Sequence, residues 1–362
     1  MKVMSARDST AEQGAQAVTS PTAVGTAGSA AAGEGAVPVG AAALAEVHRL
    51  LGSWLAHEPG ARLGHDPEEL HQLRVAARRL DATLSLFKQY LPASLVRARK
   101  KAKSLLRALG ATRDLDVQLE GLDAYCEELP AEERQALAPL KERLTIERAR
   151  ARARMLRALD SEATRRWIET LTAAVAAPAE AATGAEAVTV AAVMPRRVRR
   201  RFRRLRKAVR RLGADSTMDD YHKVRRRAKQ LRYALESGTV TYGKPADELL
   251  KALRRMQDKL GAYQDANIAR AHLKALAADP DCALPPATLF HMGRLAEHHA
   301  LITSQARTTV TKTWRKVRGR RWKALRQRLG EFEHDAGESP DPMPPAIPGG
   351  GPASAEGRPL SH

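Results

Sequence analysis

The chain repeats itself at a fixed interval. His71, Arg74, Arg78 and Leu80 line up with His222, Arg225, Lys229 and Leu231, each 151 residues further on. The same interval superposes Leu109, Gly110, Ala111 and Asp114 on Leu260, Gly261, Ala262 and Asp265, and Lys100 and Lys103 on Lys251 and Arg254. Two groups of residues that keep one interval, with no net insertion between them, are the mark of a duplicated unit.

Both copies read as helices. Asp66 followed by Pro67, Glu68 and Glu69 is a helix start, with a capping acceptor, a proline in the first turn and carboxylates at the positive end of the dipole. Thr217, three residues before Asp220, has the spacing of a capping box at the equivalent place. Leu70, Leu73, Ala77, Leu80 and Leu84 trace one apolar face, and Val224, Ala228, Leu231 and Leu235 trace its counterpart. Strand alternation is absent, and aromatics make up only 4% of a chain whose apolar residues are mostly Ala and Leu. The periodicity predicts helices over 40–57, 67–90, 93–128 and 131–174, then 195–212, 218–240, 245–277 and 285–328. The expected class is all-α, a pair of helical bundles.

Charge locates the folded part. Of the formal +20, residues 1–40 carry −1 and residues 331–362 carry −5, which places +26 on residues 41–330. The tails, 1–37 and 331–362, are too poor in apolar residues to offset chain entropy and are expected to be disordered. The Ala-rich stretch Ala173–Pro195 divides the folded part, residues 38–330, into a first repeat of about 38–178 and a second of about 190–330. Between Arg196 and Arg211, eleven of sixteen residues are Lys or Arg, yet Val198, Phe202, Leu205 and Val209 keep one narrow apolar stripe.

Cys126 and Cys282 are too few for a disulfide scaffold or a thiolate zinc site, and no apolar run approaches the length of a membrane span. The N-terminus lacks the pattern of a secretory signal. The expectation is a soluble, cytoplasmic protein with a polyanionic partner and no membrane association.

On a helix, His71, Arg74 and Arg78 project within about 60° of arc, and so do His222, Arg225 and Lys229, with Arg232 continuing the second row. Cations stacked this closely repel one another, so an anion is the natural complement. Lys100 with Lys103, and Lys251 with Arg254, add similar rows on the next helix. One such row could be a solvated basic face, but its recurrence at the same interval argues for a shared ligand. Arg supplies a rigid fork for phosphate oxygens and Lys a mobile charge. Beside an anion, His71 and His222 would each favour the imidazolium and donate charged hydrogen bonds. No metal or other cofactor is expected, since His298 and His299 are adjacent and no carboxylate–histidine group has ligand spacing. Gly110 and Gly261 are expected to permit close helix approach, and Asp114 and Asp265 to hold members of the basic rows. Arg113 and Asp116 are replaced by Gln264 and Asn267 in the second copy, which argues against a catalytic role for either.

The His-x-x-Arg-x-x-x-Arg/Lys helix, the downstream Leu-Gly-x-x-x-Asp and the duplication resemble the CHAD family, the conserved histidine α-helical domain, over roughly residues 40–330. Arg113, Asp114, Asp116 and Val117, and Lys229, Leu231, Arg232 and Tyr233, are similar to its patterns within and after these helices. The resemblance implies two four-helix bundles related by pseudo-twofold symmetry, with basic side chains lining a shared cavity. It also implies inorganic polyphosphate as the ligand and location at polyphosphate granules. His71, Arg74, Arg78, His222, Arg225 and Lys229 carry over as phosphate ligands, with Lys100, Lys103, Lys251 and Arg254 as helpers. Gln230 stands where the first copy has Arg79, and Asp81 occupies a position where a basic residue is common. The tunnel triphosphatase domain fused to many members begins with a Glu-x-Glu-x-Lys strand that this sequence lacks, so a stand-alone binding module without a hydrolase is expected.

Two other classes compete. A nucleic-acid binder would use the same charge, but there is no groove-reading motif and only 14 aromatic residues are available for base stacking. An enzyme acting on polyphosphate or nucleotides would need a metal-binding carboxylate group or a nucleophile beside the rows, or a glycine-rich phosphate loop, and none is present. No catalytic residue is assigned.

Overall fold

The computed structural model describes residues 37–177, 188–237 and 242–335, and the expectations for the remaining tail and linker residues lie outside them. Among the described residues the fold is all-α, with one isolated β-bridge. The helices are α1 (Val39–Leu63), α2 (Pro67–Leu86), α3 (Ala93–Lys101), α4 (Lys103–Glu127), α5 (Ala131–Ala136), α6 (Ala138–Leu159), α7 (Glu162–Ala176), α8 (Val190–Val209), α9 (Met218–Glu236), α10 (Lys244–Ala278), α11 (Pro286–Arg318) and α12 (Arg320–Asp335).

The starts of α1, α2 and α3 fall 151 residues before those of α8, α9 and α10. Local chemistry explains the matching starts of α2 and α9. Asp66 accepts a hydrogen bond from the Glu68 amide at 2.8 Å, with Pro67 in the first turn. The Thr217 amide donates to the Asp220 carboxylate at 3.1 Å. The predicted apolar faces are buried, Leu73 and Leu80 on α2 and Val224 and Leu231 on α9 being fully enclosed.

Other boundaries differ from the periodicity. The helix expected over 93–128 breaks at Ala102, whereas its counterpart α10 runs unbroken. The stretch 131–174 divides into α5, α6 and α7, and 285–328 divides at Gly319. Helix α8 begins at Val190 rather than at residue 195: Thr189 caps it, and Pro195 is buried inside it. Helix α12 continues to Asp335, past the expected limit at 330, because Leu325, Leu329 and Phe332 extend one packed face and Arg199 pairs with Glu333.

The halves share their core. Helix α1 packs on α2 and α7, and α9 packs on α8 and α10, while α2 touches α9 and α4 touches α10 across the halves. One continuous apolar cluster includes Trp54, Leu80, Leu105 and Trp167 together with Phe202, Leu231, Leu253 and Leu325. Phe202 stacks on Trp322 with ring centroids 3.6 Å apart, which fixes the basic helix α8 through its apolar stripe. A second cluster joins Leu122, Leu140 and Leu144 to Leu273, Met292 and Leu295. At the start of each half, Val39 donates to the Val188 carbonyl at 2.9 Å and Val190 donates to the Val37 carbonyl at 3.0 Å. The two bonds interchange when 151 is added to Val37 and Val39 and subtracted from Val188 and Val190.

Candidate functional site

The contact between α2 and α9 brings the two basic rows together. Arg74 and Arg78 from α2 share one electrostatic neighbourhood with Arg225, Lys229 and Arg232 from α9. Burial pulls the Lys229 ammonium down to about 7, and Arg225, Arg74, Arg232 and Arg78 add to the shift by repulsion. Arg74 is likewise lowered, first by burial and then by repulsion from Arg78 and Arg225 against the attraction of Asp114.

Two carboxylates belong to the cluster. Asp114 on α4 lies 3.9 Å from the Arg74 guanidinium, and Asp265 on α10 lies in the field of Arg225. Burial raises the pKa of both against the pull of the neighbouring arginines, and Asp114 raises Asp265 further. The expected anchoring of the rows by these aspartates is therefore present on the Arg74 side as a loose ion pair. On the other side Gln264 does the close work. Its side-chain oxygen accepts from Arg225 at 2.8 Å and from His222 Nδ1 at 3.3 Å.

The repeated glycines serve a different purpose from the one expected. A β-carbon on Gly110 would meet Arg74 Nε at 4.0 Å, and one on Gly261 would meet the Arg225 guanidinium at 3.7 Å. What lies over each glycine is an arginine of the row rather than a helix backbone. The Nε groups of Arg74, Arg225 and Arg232 are buried without a hydrogen-bond acceptor. Orphaned buried donors cost about 1–3 kcal/mol each; Arg232 Nε faces Glu236 at 3.7 Å, so Arg74 and Arg225 are the two left to favour an anionic guest.

The histidines flank this cluster. His71 is half-buried and its pKa is lowered, chiefly by burial, so without an anion it is held neutral. His222 is exposed at the corresponding place. Of the residues that differ between copies, Gln264 joins the cluster and the others are committed elsewhere: Arg113 pairs with Glu120 at 2.6 Å, Asp116 with Arg148, and Asn267 donates to the Tyr263 carbonyl at 2.7 Å.

The outer rows separate. Lys100 and Lys103 are exposed on α3 and α4. Arg254 reaches Glu236 at 3.5 Å, whereas Lys251 turns to a cavity against α11 and α12 and leaves the cluster. Sequence reasoning missed Glu236. It is half-buried at the end of α9 and gathers Arg79 at 3.2 Å, Arg232 at 3.7 Å and Arg254, so it binds the halves together. Only its i, i+4 spacing from Arg232 is visible in the sequence; Arg79 and Arg254 come from other helices.

Among the described residues no group of His, Cys, Asp and Glu could hold a metal ion, and no helix is long and apolar enough to cross a membrane. Chemically, the cluster could offer ion pairs and charge-assisted hydrogen bonds to an anion.

The chain is 31% identical over 232 residues to uncharacterised proteins from two strains of Mycobacterium tuberculosis, a match covering 59% of this chain and 41% of each of them. It thus spans about two-fifths of the length of these curated relatives. The crystal structure of the CHAD domain from the plant Ricinus communis superposes with a TM-score of 0.63 at 27% identity, covering 83% of this chain and 95% of that one. PptA from Streptomyces chartreusis shares the fold, with a TM-score of 0.61 at 22% identity over 77% of this chain and 99% of its own. The CHAD domain itself matches residues 45–274, more than half of the sequence and the part that holds both basic rows, and the chain belongs to the CHAD family.

Proposed function

We propose that the protein binds inorganic polyphosphate between the two basic rows and that it acts as a binding module rather than an enzyme. In this reading the halves are copies of one bundle unit related by a pseudo-twofold axis. His71, Arg74, Arg78, His222, Arg225, Lys229 and Arg232 hold the chain, with Lys100, Lys103 and Arg254 flanking it. Binding of this kind would place the protein on polyphosphate granules in cells that store the polymer.

The observation that carries the reading is the convergence of Arg74, Arg78, Arg225, Lys229 and Arg232, where burial first and the neighbouring charges second lower the Lys229 pKa to about 7. An unbranched polyanion with one charge per phosphate relieves that repulsion along the length of both rows. Nucleic acid offers the same backbone charge, but its bases would need stacking partners, and the Tyr233 ring beside the cluster already lies under the Arg232 guanidinium, 5.1 Å from its centroid.

Competition decides between the two. Long polyphosphate, duplex DNA and single-stranded RNA are set against one another at matched phosphate concentration across a salt series. Polyphosphate is expected to displace both nucleic acids throughout, with log affinity falling linearly in log salt. Equal competition by nucleic acid, or a flat salt dependence, would overturn the proposal.

A further inference from the structure

Helix α10 serves two faces. Arg254 points to Glu236, but its neighbour Arg255 and the preceding Lys251 line a cavity of about 320 Å³ between α10, α11 and α12. Lys316 near the end of α11 and Arg320 and Arg321 at the start of α12 complete a ring of five cations. Glu248 is the one carboxylate in the lining.

The charges are uncompensated. Among the described residues Lys251, Arg255, Lys316 and Arg320 make no ion pair, and Arg321 reaches only the Lys316 carbonyl, at 3.4 Å. Arg320 and Arg321 come from the first turn of α12, and Lys316 from the last turn of α11. No aromatic side chain lines the cavity, so it offers no platform for a base. Its volume suits a few phosphate units rather than a long chain, and five cations against one carboxylate match an anion of three to five charges. The position 151 residues before Arg255 is Ser104, so the cavity is not a second copy of the site between the rows.

We propose that this cavity is a separate anion site for a compact polyvalent phosphate, of the pyrophosphate or tripolyphosphate class. Lys251 and Arg255 hold it from one side, and Lys316, Arg320 and Arg321 from the other.

The test is calorimetric titration of the full chain with tripolyphosphate, beside long polyphosphate. Two classes of tripolyphosphate site are expected. Lys316→Ala with Arg320→Ala and Arg321→Ala should remove one class and leave long-polyphosphate affinity within about threefold, since those residues lie off the rows. Arg225→Ala with Lys229→Ala should remove the other class. Glu248→Gln should tighten tripolyphosphate binding by about three- to tenfold through loss of the one repelling charge, a gain that a misfolded chain cannot imitate. A single class abolished by Arg225→Ala with Lys229→Ala and indifferent to the triple variant would overturn the site, as would an unchanged affinity in Glu248→Gln. Cavity-dependent tripolyphosphate binding without long-polyphosphate binding would sink the proposed function and leave this site standing.

Discussion

In the proposed binding mode, Lys229 would make polyphosphate binding a proton-linked reaction. Burial and the four arginines around it set the free pKa at about 7, so at pH 8 only about one-tenth of the free protein carries this charge. A phosphate chain between the rows reverses the electrostatic part of the shift and draws the ammonium back toward the ordinary lysine range. Each binding event at pH 8 should therefore take up about 0.9 proton, and at pH 7 about half a proton. By linkage, affinity should fall by up to about tenfold per pH unit above neutrality. The interior phosphates of a long chain keep their charge throughout, so the proton goes to the protein.

Stability of the free fold runs the other way. The unfolded chain holds the lysine proton to about pH 10.4 while the folded chain sheds it near 7, so the fold gains stability as pH rises through that window. The assay is calorimetry at pH 8 in two buffers of different ionisation enthalpy, on the native chain and on Lys229→Met. A heat that does not depend on the buffer, or an uptake that survives in Lys229→Met, would refute the reasoning.

Arg74→Ala with Arg78→Ala, and Arg225→Ala with Lys229→Ala, should each weaken polyphosphate binding by roughly 1.5–3 kcal/mol per charge-assisted bond lost, while Arg200→Ala with Arg204→Ala on α8 should cost less. Equal losses at all three places, measured beside the melting temperature, would point to a diffuse basic surface instead. Glu236→Gln should lower stability in urea by about 1–3 kcal/mol, because Arg79, Arg232 and Arg254 lose their common counterion. Gly110→Ala should raise stability by up to about 1 kcal/mol and leave affinity within a few-fold, since its β-carbon meets Arg74 at an ordinary contact distance. Gly110→Leu should push Arg74 aside and lower affinity, which a binding curve for each variant resolves.

What the sequence made legible was periodic. The rows, the caps at Asp66 and Thr217 and the buried faces of α2 and α9 are set within a few turns of helix, so spacing alone exposes them. The meeting of the rows was legible only through their recurrence and the family resemblance, since neither helix alone specifies what it faces. Two features were hidden. Glu236 gathers Arg79 and Arg254 from other helices, and Lys251 parts from Arg254 because α11 and α12 pack against one face of α10; the Gln264 replacement was visible, but its bonds to Arg225 and His222 were not. Pro195 also misled, because a proline reads as a boundary, while burial beside Met194 and Val198 holds it inside α8.

The reciprocal bonds between Val37–Val39 and Val188–Val190 have the form of an isologous contact, in which one patch binds its own equivalent. Such a surface is self-complementary whether its two copies lie on one chain or on two. A half severed between Ala177 and Val188 would present to a second identical half the strand edge, the apolar faces and a basic row of its own. Two first halves would then enclose a pocket with arginine at both Arg78 positions and no lysine. In the proposed binding mode, tethering the halves in one polypeptide lets the rows differ, with Lys229 standing where the first row has Arg78.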